Sequence, residues 1–315
     1  MEDSADNRIK FRHMQCFLAV LQLGTVQRAA DSLSITQPAV SKTLAELEEI
    51  IGAPLFERGR HGAVPTRQGR LFAPHARACL AALRQGVDEV RQDGQLALAS
   101  IAIGVLPTVA GALLPPALAA FRAHWPKVSV RVQTGSNQQL LESLQAGDIA
   151  LAVGRLSDSE SMAGMSFEHL YREPLSVVVR AGHRLLEEGS LLPAMLARYP
   201  IVVPPSGTLI RQSADSMLTA FGAQASTALL ETLSVSLGRA LALHNDAVWF
   251  VPSSAVEEDL AKAGLVRLRM PFPGTDEPIG LIRRSESVLT VATADLAEAI
   301  RTAGRQRESL RIGRV

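Results

Sequence analysis

Long apolar runs are missing from this chain of 315 residues. No stretch of about 18 apolar residues occurs, so no membrane-spanning helix is expected. Cysteine is nearly missing too, with only Cys16 and Cys79, too few for a disulfide framework. Both fall on the apolar sides of helical patterns, which predicts small buried hydrophobes and not redox thiols. The seven histidines, His13, His61, His75, His124, His169, His183 and His244, are scattered. None pairs with another at helical spacing and no acidic cluster joins them, so no metal site is expected. An excess of either charge is lacking, since 32 basic and 31 acidic residues leave a net charge of +1. Affinity for a nucleic acid would therefore have to come from a local basic region. Residues 1–10 have no apolar signal core, which predicts a cytoplasmic protein. There is no G-x-S-x-G elbow, no P-loop and no dinucleotide-type glycine spacing, because Leu106-Pro107 follow Val105. Neither an enzyme nor a cofactor is expected.

What is present is a globular composition, 47% hydrophobic and 20% charged, in a chain long enough for about two domains. The densest information lies between Phe11 and Gly69. Phe11, Met14, Phe17, Leu18 and Leu21 recur at helical spacing and end at Gly24. Val26, Ala29, Ala30 and Leu33 give a second, shorter helix whose small residues let a third cross closely. That third helix opens at Thr36, an expected N-cap, with Pro38 in its first turn, where a missing N–H costs nothing. Val40, Leu44, Leu47, Ile50 and Ile51 face inward, which leaves Gln37, Ser41 and Lys42 on the outer face. Spacing alone allows either a plain three-helix bundle or a helix-turn-helix that offers polar side chains to a DNA major groove. The next stretch favours the second. Leu55-Phe56-Glu57-Arg58 and the glycine-rich run Gly59 to Gly69 read as a β-hairpin wing. Between Glu57 and Asp88 there is no acid, while Arg58, Arg60, Arg67, Arg70, Arg77 and Arg84 all fall there, suited to phosphate contacts.

Ala29-Ala30-x-x-Leu33, Thr36-Gln37-Pro38-Ala39-Val40-Ser41-Lys42, Leu47-Glu48, Gly52, Leu55-Phe56-Glu57-Arg58 and Thr66-x-x-Gly69, in this order, resemble the DNA-binding region of LysR-type transcriptional regulators. The resemblance implies a winged helix-turn-helix over residues 1–68, with DNA contacts at Arg28, Thr36, Gln37, Pro38, Ala39, Ser41, Lys42, Thr43, Arg58, Arg60 and Arg67. Residues 69–95 follow as a linker helix. Phe72, Ala76, Cys79, Leu83, Val87 and Val90 are spaced close to a coiled-coil seam, and Pro74 interrupts the pattern. The DNA-binding fold looks complete without this helix, so pairing with a second copy is favoured over packing on its own domain. Family members pair here, which implies a homodimer or homotetramer.

After Gly94 the pattern changes to alternating strands and helices. A strand is predicted at Ser100–Val105, a helix from about Gly111 to His124, strands at Val128–Gln133 and Ala150–Val153, and a helix at Asn137–Ala146. A second set begins with a strand at Leu175–Val179 and includes a helix at Ser254–Ala263. Pro278–Arg283 and the helix Val291–Arg305 return to the first set. Alternation of this kind indicates parallel βαβ units. The fold class is thus α/β with an all-α N-terminal part. Residues 96–315 resemble the periplasmic-binding-protein-like effector domain of two α/β subdomains found in the same family.

Ligands in such folds sit beyond strand C-termini, beside helix N-termini. Pro107-Thr108, Ser136-Asn137 and the segment Val203, Pro204, Pro205, Ser206, Gly207 occupy such turns. Plain helix capping explains Thr108 and Ser136 equally well from the residues alone. The resemblance makes all of them candidates for contact with an inducer. Arg155 is either a bidentate partner for a carboxylate or a solvated hinge residue, and Phe250 borders the crossing strand. Arg8 to His13 and the run Asn245 to Phe250 also resemble the protocatechuate-pathway subgroup of the family. An organic anion from aromatic catabolism would follow from that. The implied function is a ligand-responsive transcription factor that binds double-stranded DNA and RNA polymerase. The alternative is a solute-binding or enzymatic α/β domain with an accessory helical domain.

Overall fold

The computed structural model describes residues 8–59, 62–92, 100–188, 192–222, 229–270, 276–285 and 287–312. The chain divides into two compact units, one running through the N-terminal helices and the other from residue 100 onward.

The first unit opens with α1 (Phe11–Leu23), which buries Cys16, Phe17 and Val20 and ends at Gly24 in the left-handed region. In α2 (Val26–Leu33) the Thr25 side chain accepts a hydrogen bond from the Arg28 amide, and Ala29 and Ala30 are buried. α3 (Gln37–Ile51) turns Val40, Leu44 and Leu47 inward and has Pro38 in its first turn. The expectation for Thr36 needs correction. Its backbone occupies the expected N-cap position, but its hydroxyl makes no capping hydrogen bond, and the Ala39 amide bonds the Thr36 carbonyl instead at 3.0 Å. β1 (Phe56–Gly59) and β2 (Gly62–Pro65) form the antiparallel wing. α4 (Arg67–Gln92) follows and continues through Pro74.

Two further expectations are corrected here. The DNA-binding core is not complete without α4, because Phe72, Ala73 and Ala76 pack into it. Phe17 sits 5.3 Å from the Phe56 ring and 5.2 Å from Phe72, so α1, the wing and α4 share one aromatic contact. Cys79, expected to be buried, is exposed. It lies on the same helix as Leu83, 50% exposed, and Val87. The later part of the seam, Cys79, Leu83 and Val87, is therefore exposed within the described residues of one chain, while Phe72 and Ala76 at its start are covered by the DNA-binding core.

The second unit contains β3 (Ser100–Val105), α5 (Pro107–His124), β4 (Ser129–Thr134), α6 (Asn137–Ala146), β5 (Leu151–Arg155) and β6 (Met165–Arg180). It continues with a 3-10 turn at Arg184–Leu186, α7 (Pro193–Leu196), β7 (Ile201–Val203), α8 (Leu209–Ala220), β8 (Leu229–Glu231), α9 (Val235–His244) and β9 (Val248–Pro252). A 3-10 turn at Ser253–Val256, α10 (Glu257–Ala261), β10 (Leu265–Arg267), β11 (Asp276–Arg284) and α11 (Val291–Ile312) complete it. The strands run in the order β4-β3-β5-β11-β6-β9-β7-β8, with β10 also paired to β6. β3, β4 and β5 are parallel, as are β7, β8 and β9.

The strand expected at Leu175–Val179 is only the second half of β6. Its first half pairs with β11 and its second with β9 and β10. This strand carries the chain from one half of the unit to the other. Its first half, Met165 to Pro174, mixes Glu168, His169, Arg172 and Glu173 with apolar residues, so no apolar run marks it. The helix expected at Ser254–Ala263 is a 3-10 turn followed by the short α10. α5 begins at Pro107, earlier than expected, because proline is well suited to a first helical turn. Each half has its own core. One gathers Ile103, Val105, Leu113, Val153, Leu281 and Ile300. The other gathers Val177, Val203, Met217, Val248 and Phe250. The predicted return of the C-terminus to the first half is present, since β11 pairs with β5 and Leu296, Ala297 and Ile300 join the first core.

Candidate nucleic-acid interface and ligand site

In the first unit, α3 exposes Gln37, Pro38, Ala39 and Lys42 in one patch, with Thr36 exposed at its head and Ser41 half-buried beside them. Thr43 is placed differently. It is half-buried and its side chain hydrogen-bonds with the Cys16 thiol. Burial pushes that thiol up from its ordinary range. Arg28 is exposed on α2 and Arg67 at the head of α4. Arg58 contributes its backbone to β1, opposite Ala63. Arg60 lies outside the described residues.

Several residues set this surface through contacts that their sequence positions do not show. Glu48 Oε1 accepts the Leu55 amide at 2.7 Å and the Phe56 amide at 3.2 Å, so α3 holds the entrance to the wing. The wing exit is held by Thr66, whose hydroxyl donates to the Pro54 carbonyl at 2.8 Å and accepts the Gly69 amide at 3.0 Å. Arg70 donates to the Pro65 carbonyl at 2.7 Å. On α1, Arg12 Nη2 donates to Glu46 at 3.2 Å. His13, fully buried, lies 3.4 Å from the same carboxylate.

In the second unit the predicted ligand residues occupy the strand-end turns, and the structure connects some of them. Asn137 Oδ1 accepts the Arg155 amide at 2.8 Å, and its Nδ2 donates to the Arg155 carbonyl at 3.0 Å and to Ser157 at 2.8 Å. The α6 head is thereby tied to the end of β5. Ser136 and Gln139 cap one another. The Ser136 hydroxyl accepts the Gln139 amide at 3.3 Å, and Gln139 Oε1 accepts the Ser136 amide at 2.9 Å. Thr108 does not cap. It lies inside the first turn of α5, is buried, and its hydroxyl has no partner among the described residues. Ser206 donates through its amide and hydroxyl to Glu231, which also takes Arg211 at 2.6 Å. Pro204 is buried, and its carbonyl accepts Arg211 at 3.1 Å. The Pro205 carbonyl accepts the Thr208 hydroxyl at 2.8 Å, and Gly207 has φ +82. Val203 and Phe250 are fully buried in the second core. Pro107 is half-buried at the first turn of α5.

Arg155 is not a solvated hinge residue. It is buried, and Nη2 donates to Glu173 at 2.8 Å. Glu173 sits on β6 where that strand passes between the halves. Its Oε1 also accepts the Ser254 amide at 3.2 Å and the Ser254 hydroxyl. The same hydroxyl lies 3.0 Å from the Thr108 carbonyl. Ser254 belongs to the second half and Thr108 to the first, so the cluster ties the two together. Arg155 Nε and the Tyr171 hydroxyl have no hydrogen-bond partner among the described residues. Burial pushes the Glu173 carboxyl up, against the pull of Arg155 and Ser254, and burial likewise raises the Tyr171 hydroxyl. Glu173 and Ser254 were invisible in the sequence, because their roles depend on partners 18 and 81 residues away. Among the described residues no group of histidine, cysteine or acidic side chains could hold a metal ion. No helix among them is long and apolar enough to cross a membrane.

A helix-turn-helix unit with a wing, joined through a long helix to a two-lobed α/β unit, defines a DNA-binding regulator and not an enzyme. Residues 11–70 match the bacterial regulatory helix-turn-helix protein, lysR family, and residues 95–305 match the LysR substrate binding domain. The chain belongs to the LysR family of transcriptional regulators. It is 41% identical to the uncharacterized HTH-type transcriptional regulator YdcI of Escherichia coli, over 93% of this chain and 95% of that one. It is 40% identical to the HTH-type transcriptional regulator PcaQ of Agrobacterium fabrum, over 95% of this chain and 96% of that one. That places it with PcaQ-like members. Among solved structures, full-length LysG of Corynebacterium glutamicum with bound arginine shares the fold at TM-score 0.66, 19% identity and coverage of 95% and 99%. Full-length CbnR in complex with its target DNA does so at TM-score 0.56, 22% identity and coverage of 94% and 100%.

Proposed function

We propose that this regulator responds to a small organic anion, in the class of aromatic-catabolism acids, held at the strand-end turns of the second unit. The observation that carries the reading is the unsatisfied polarity there. Thr108 Oγ1 and Arg155 Nε are buried without partners, and buried polar atoms normally have one. Thr108 also stands in the first turn of an 18-residue helix, whose N–H groups favour negative charge. Because Glu173 already balances Arg155, the anion is drawn by N–H and O–H donors more than by net charge. Ser136, Asn137 and the Val203 to Gly207 segment would complete the site, with Pro107 and Phe250 shaping it. The 40% identity to PcaQ supports the ligand class.

The test is calorimetric titration of the full-length protein with protocatechuate and with carboxymuconate. One acid is expected to bind. Thr108→Val, which keeps the shape and removes the hydroxyl, should weaken that binding about tenfold, the value of one hydrogen bond to a charged group. No binding of either acid would sink the ligand class, and unchanged affinity in Thr108→Val would remove this site.

In the cytoplasm the protein would act on double-stranded DNA as a homodimer or homotetramer paired through α4, and engage RNA polymerase there. The DNA-contacting set would be Thr36, Gln37, Pro38, Ala39, Ser41 and Lys42 on α3, with Thr43 supporting from its inner side. Arg28, Arg58, Arg60 and Arg67 would meet phosphates. The exposed Leu83 and Val87 support the pairing. Leu83→Glu is expected to shift the protein toward monomer in sedimentation velocity at micromolar concentration. A variant that sediments like the wild type would exclude α4 as the pairing surface.

A further inference from the structure

The recognition surface of α3 has two flanks, and the structure occupies them differently. Successive residues turn about 100° around a helix axis. Glu48 and Glu46, two positions apart, therefore point about 200° from each other. Glu48 grips the amides of Leu55 and Phe56, which puts the wing on its flank. Glu46 grips Arg12 and contacts His13, which puts the start of α1 on the other. The exposed residues Pro38, Lys42 and Ala45 lie on the arc between them.

A helix seated in the major groove has a phosphate backbone on either side, across a groove about 12 Å wide. The wing serves one of them. On the opposite flank the start of α1 carries Arg8, Lys10 and Arg12, all exposed. The Arg12 side chain is 58% exposed despite its bond to Glu46. A guanidinium has five N–H donors, and the described structure uses one of Arg12's for Glu46. Glu46 is kept ionised, its carboxyl lowered by the His13 hydrogen bond and then by Arg12. His13 Nδ1 accepts the Lys10 amide at 3.1 Å, so its proton sits on Nε2 and is directed at Glu46. A fixed acid thus holds a half-free guanidinium beside the groove-facing patch. An exposed ion pair of this kind contributes little to stability, which leaves the buried histidine behind it better explained by placement than by stability.

We infer that Arg12 contacts a DNA backbone phosphate on the flank of α3 opposite the wing, and that Glu46 is its positioning residue, with Lys10 adding charge to the same clamp. This rests on the DNA-binding role of the unit but not on any ligand or operator.

Phosphate contacts are independent of sequence, so the probe is a fluorescein-labelled duplex of arbitrary sequence, about 30 base pairs long. Full-length protein is titrated by anisotropy at a series of KCl concentrations. Each phosphate contact contributes about 0.9 to the slope of log K against log salt. Arg12→Ala should therefore lower the slope by about 0.9 per protomer and weaken binding about five- to tenfold per contact at about 0.1 M salt. Arg12→Lys, which keeps the charge, should restore most of the slope. The control Arg131→Ala, in β4, should match the wild type. Removing Glu46 deletes a negative charge, which by itself tightens DNA binding. Glu46→Ala is expected to weaken it instead, with no further loss in the Arg12→Ala/Glu46→Ala double variant. An Arg12→Ala protein that melts earlier but keeps the wild-type slope would make Arg12 a purely structural partner and overturn the clamp. Tighter binding by Glu46→Ala would overturn the positioning role. Wild-type binding indifferent to salt would overturn any phosphate contact by this unit.

Discussion

Replacing Glu173 by alanine is expected to destabilise the second unit by about 3–5 kcal/mol, the cost of leaving one partner of a buried ion pair alone. Arg155 is buried and Nη2 has Glu173 as its acceptor at 2.8 Å. Its Nε is already without a partner, so no neighbour within the described residues is placed to take over. The Ser254 amide would lose its acceptor at the same time. Glu173→Gln should lose nearly as much, because an amide nitrogen or oxygen cannot serve Arg155 and Ser254 together as two carboxylate oxygens do. The double variant Arg155→Met/Glu173→Leu should recover most of the loss, since well-packed apolar residues replace a buried pair at little cost. Urea unfolding followed by tryptophan fluorescence reads this directly. The only tryptophans, Trp125 and Trp249, both belong to the second unit. A Glu173→Ala protein within about 1 kcal/mol of the wild type would show that the pair is solvated and not buried.

The second large effect is expected at Gly69. A Cβ there would stand 2.2 Å from the Leu55 carbonyl oxygen and 3.2 Å from its carbon. The obstacle is backbone, and that carbonyl already accepts the Thr66 amide at 3.0 Å. Leu55 itself is fully buried. Gly69→Ala must therefore push apart the entrance and exit of the wing, at about 3 kcal/mol or the upper range of overpacking in a core. The far-UV circular dichroism melt should show an early transition, and binding to duplex DNA should fall with it. Tryptophan fluorescence, confined to the other unit, should not move. Gly86 is the contrast. It lies inside α4, and a Cβ added there would meet nothing within 4 Å, so Gly86→Ala should raise stability by about 0.5–1 kcal/mol through helix propensity. Equal melting of Gly69→Ala and wild type would show that the joint yields without cost.

The contrast between these two glycines also separates what could be read from the chain and what could not. Thr66-x-x-Gly69 was legible as a pattern, but not the reason for it, which is the approach of Gly69 to a carbonyl on the far side of the wing. Arg155 was legible as a charged residue at a strand end. Its neutralisation was not, because Glu173 lies in a stretch of β6 without an apolar run, and strand pairing with β11 alone makes that stretch a strand. Cys79 and Leu83 followed an apolar spacing correctly, yet spacing does not say whether the face it defines is covered by the same chain.

By itself the sequence determined the three helices and wing of the first unit, the buried strand Ser100–Val105, and the helix heads at Pro38 and Ser136. These depend on side-chain periodicity and on the φ restrictions of proline and glycine, which act over a few residues. Tertiary structure alone decided the length of β6 and the pairings of Arg155 with Glu173, Ser254 with Thr108, and Arg12 with Glu46, across 18, 146 and 34 residues. Each of these joins groups that are polar and unremarkable in their own segments. For the buried groups the energetics arise only when folding removes them from water and leaves one partner within reach, whereas Arg12 stays exposed and folding only brings Glu46 beside it.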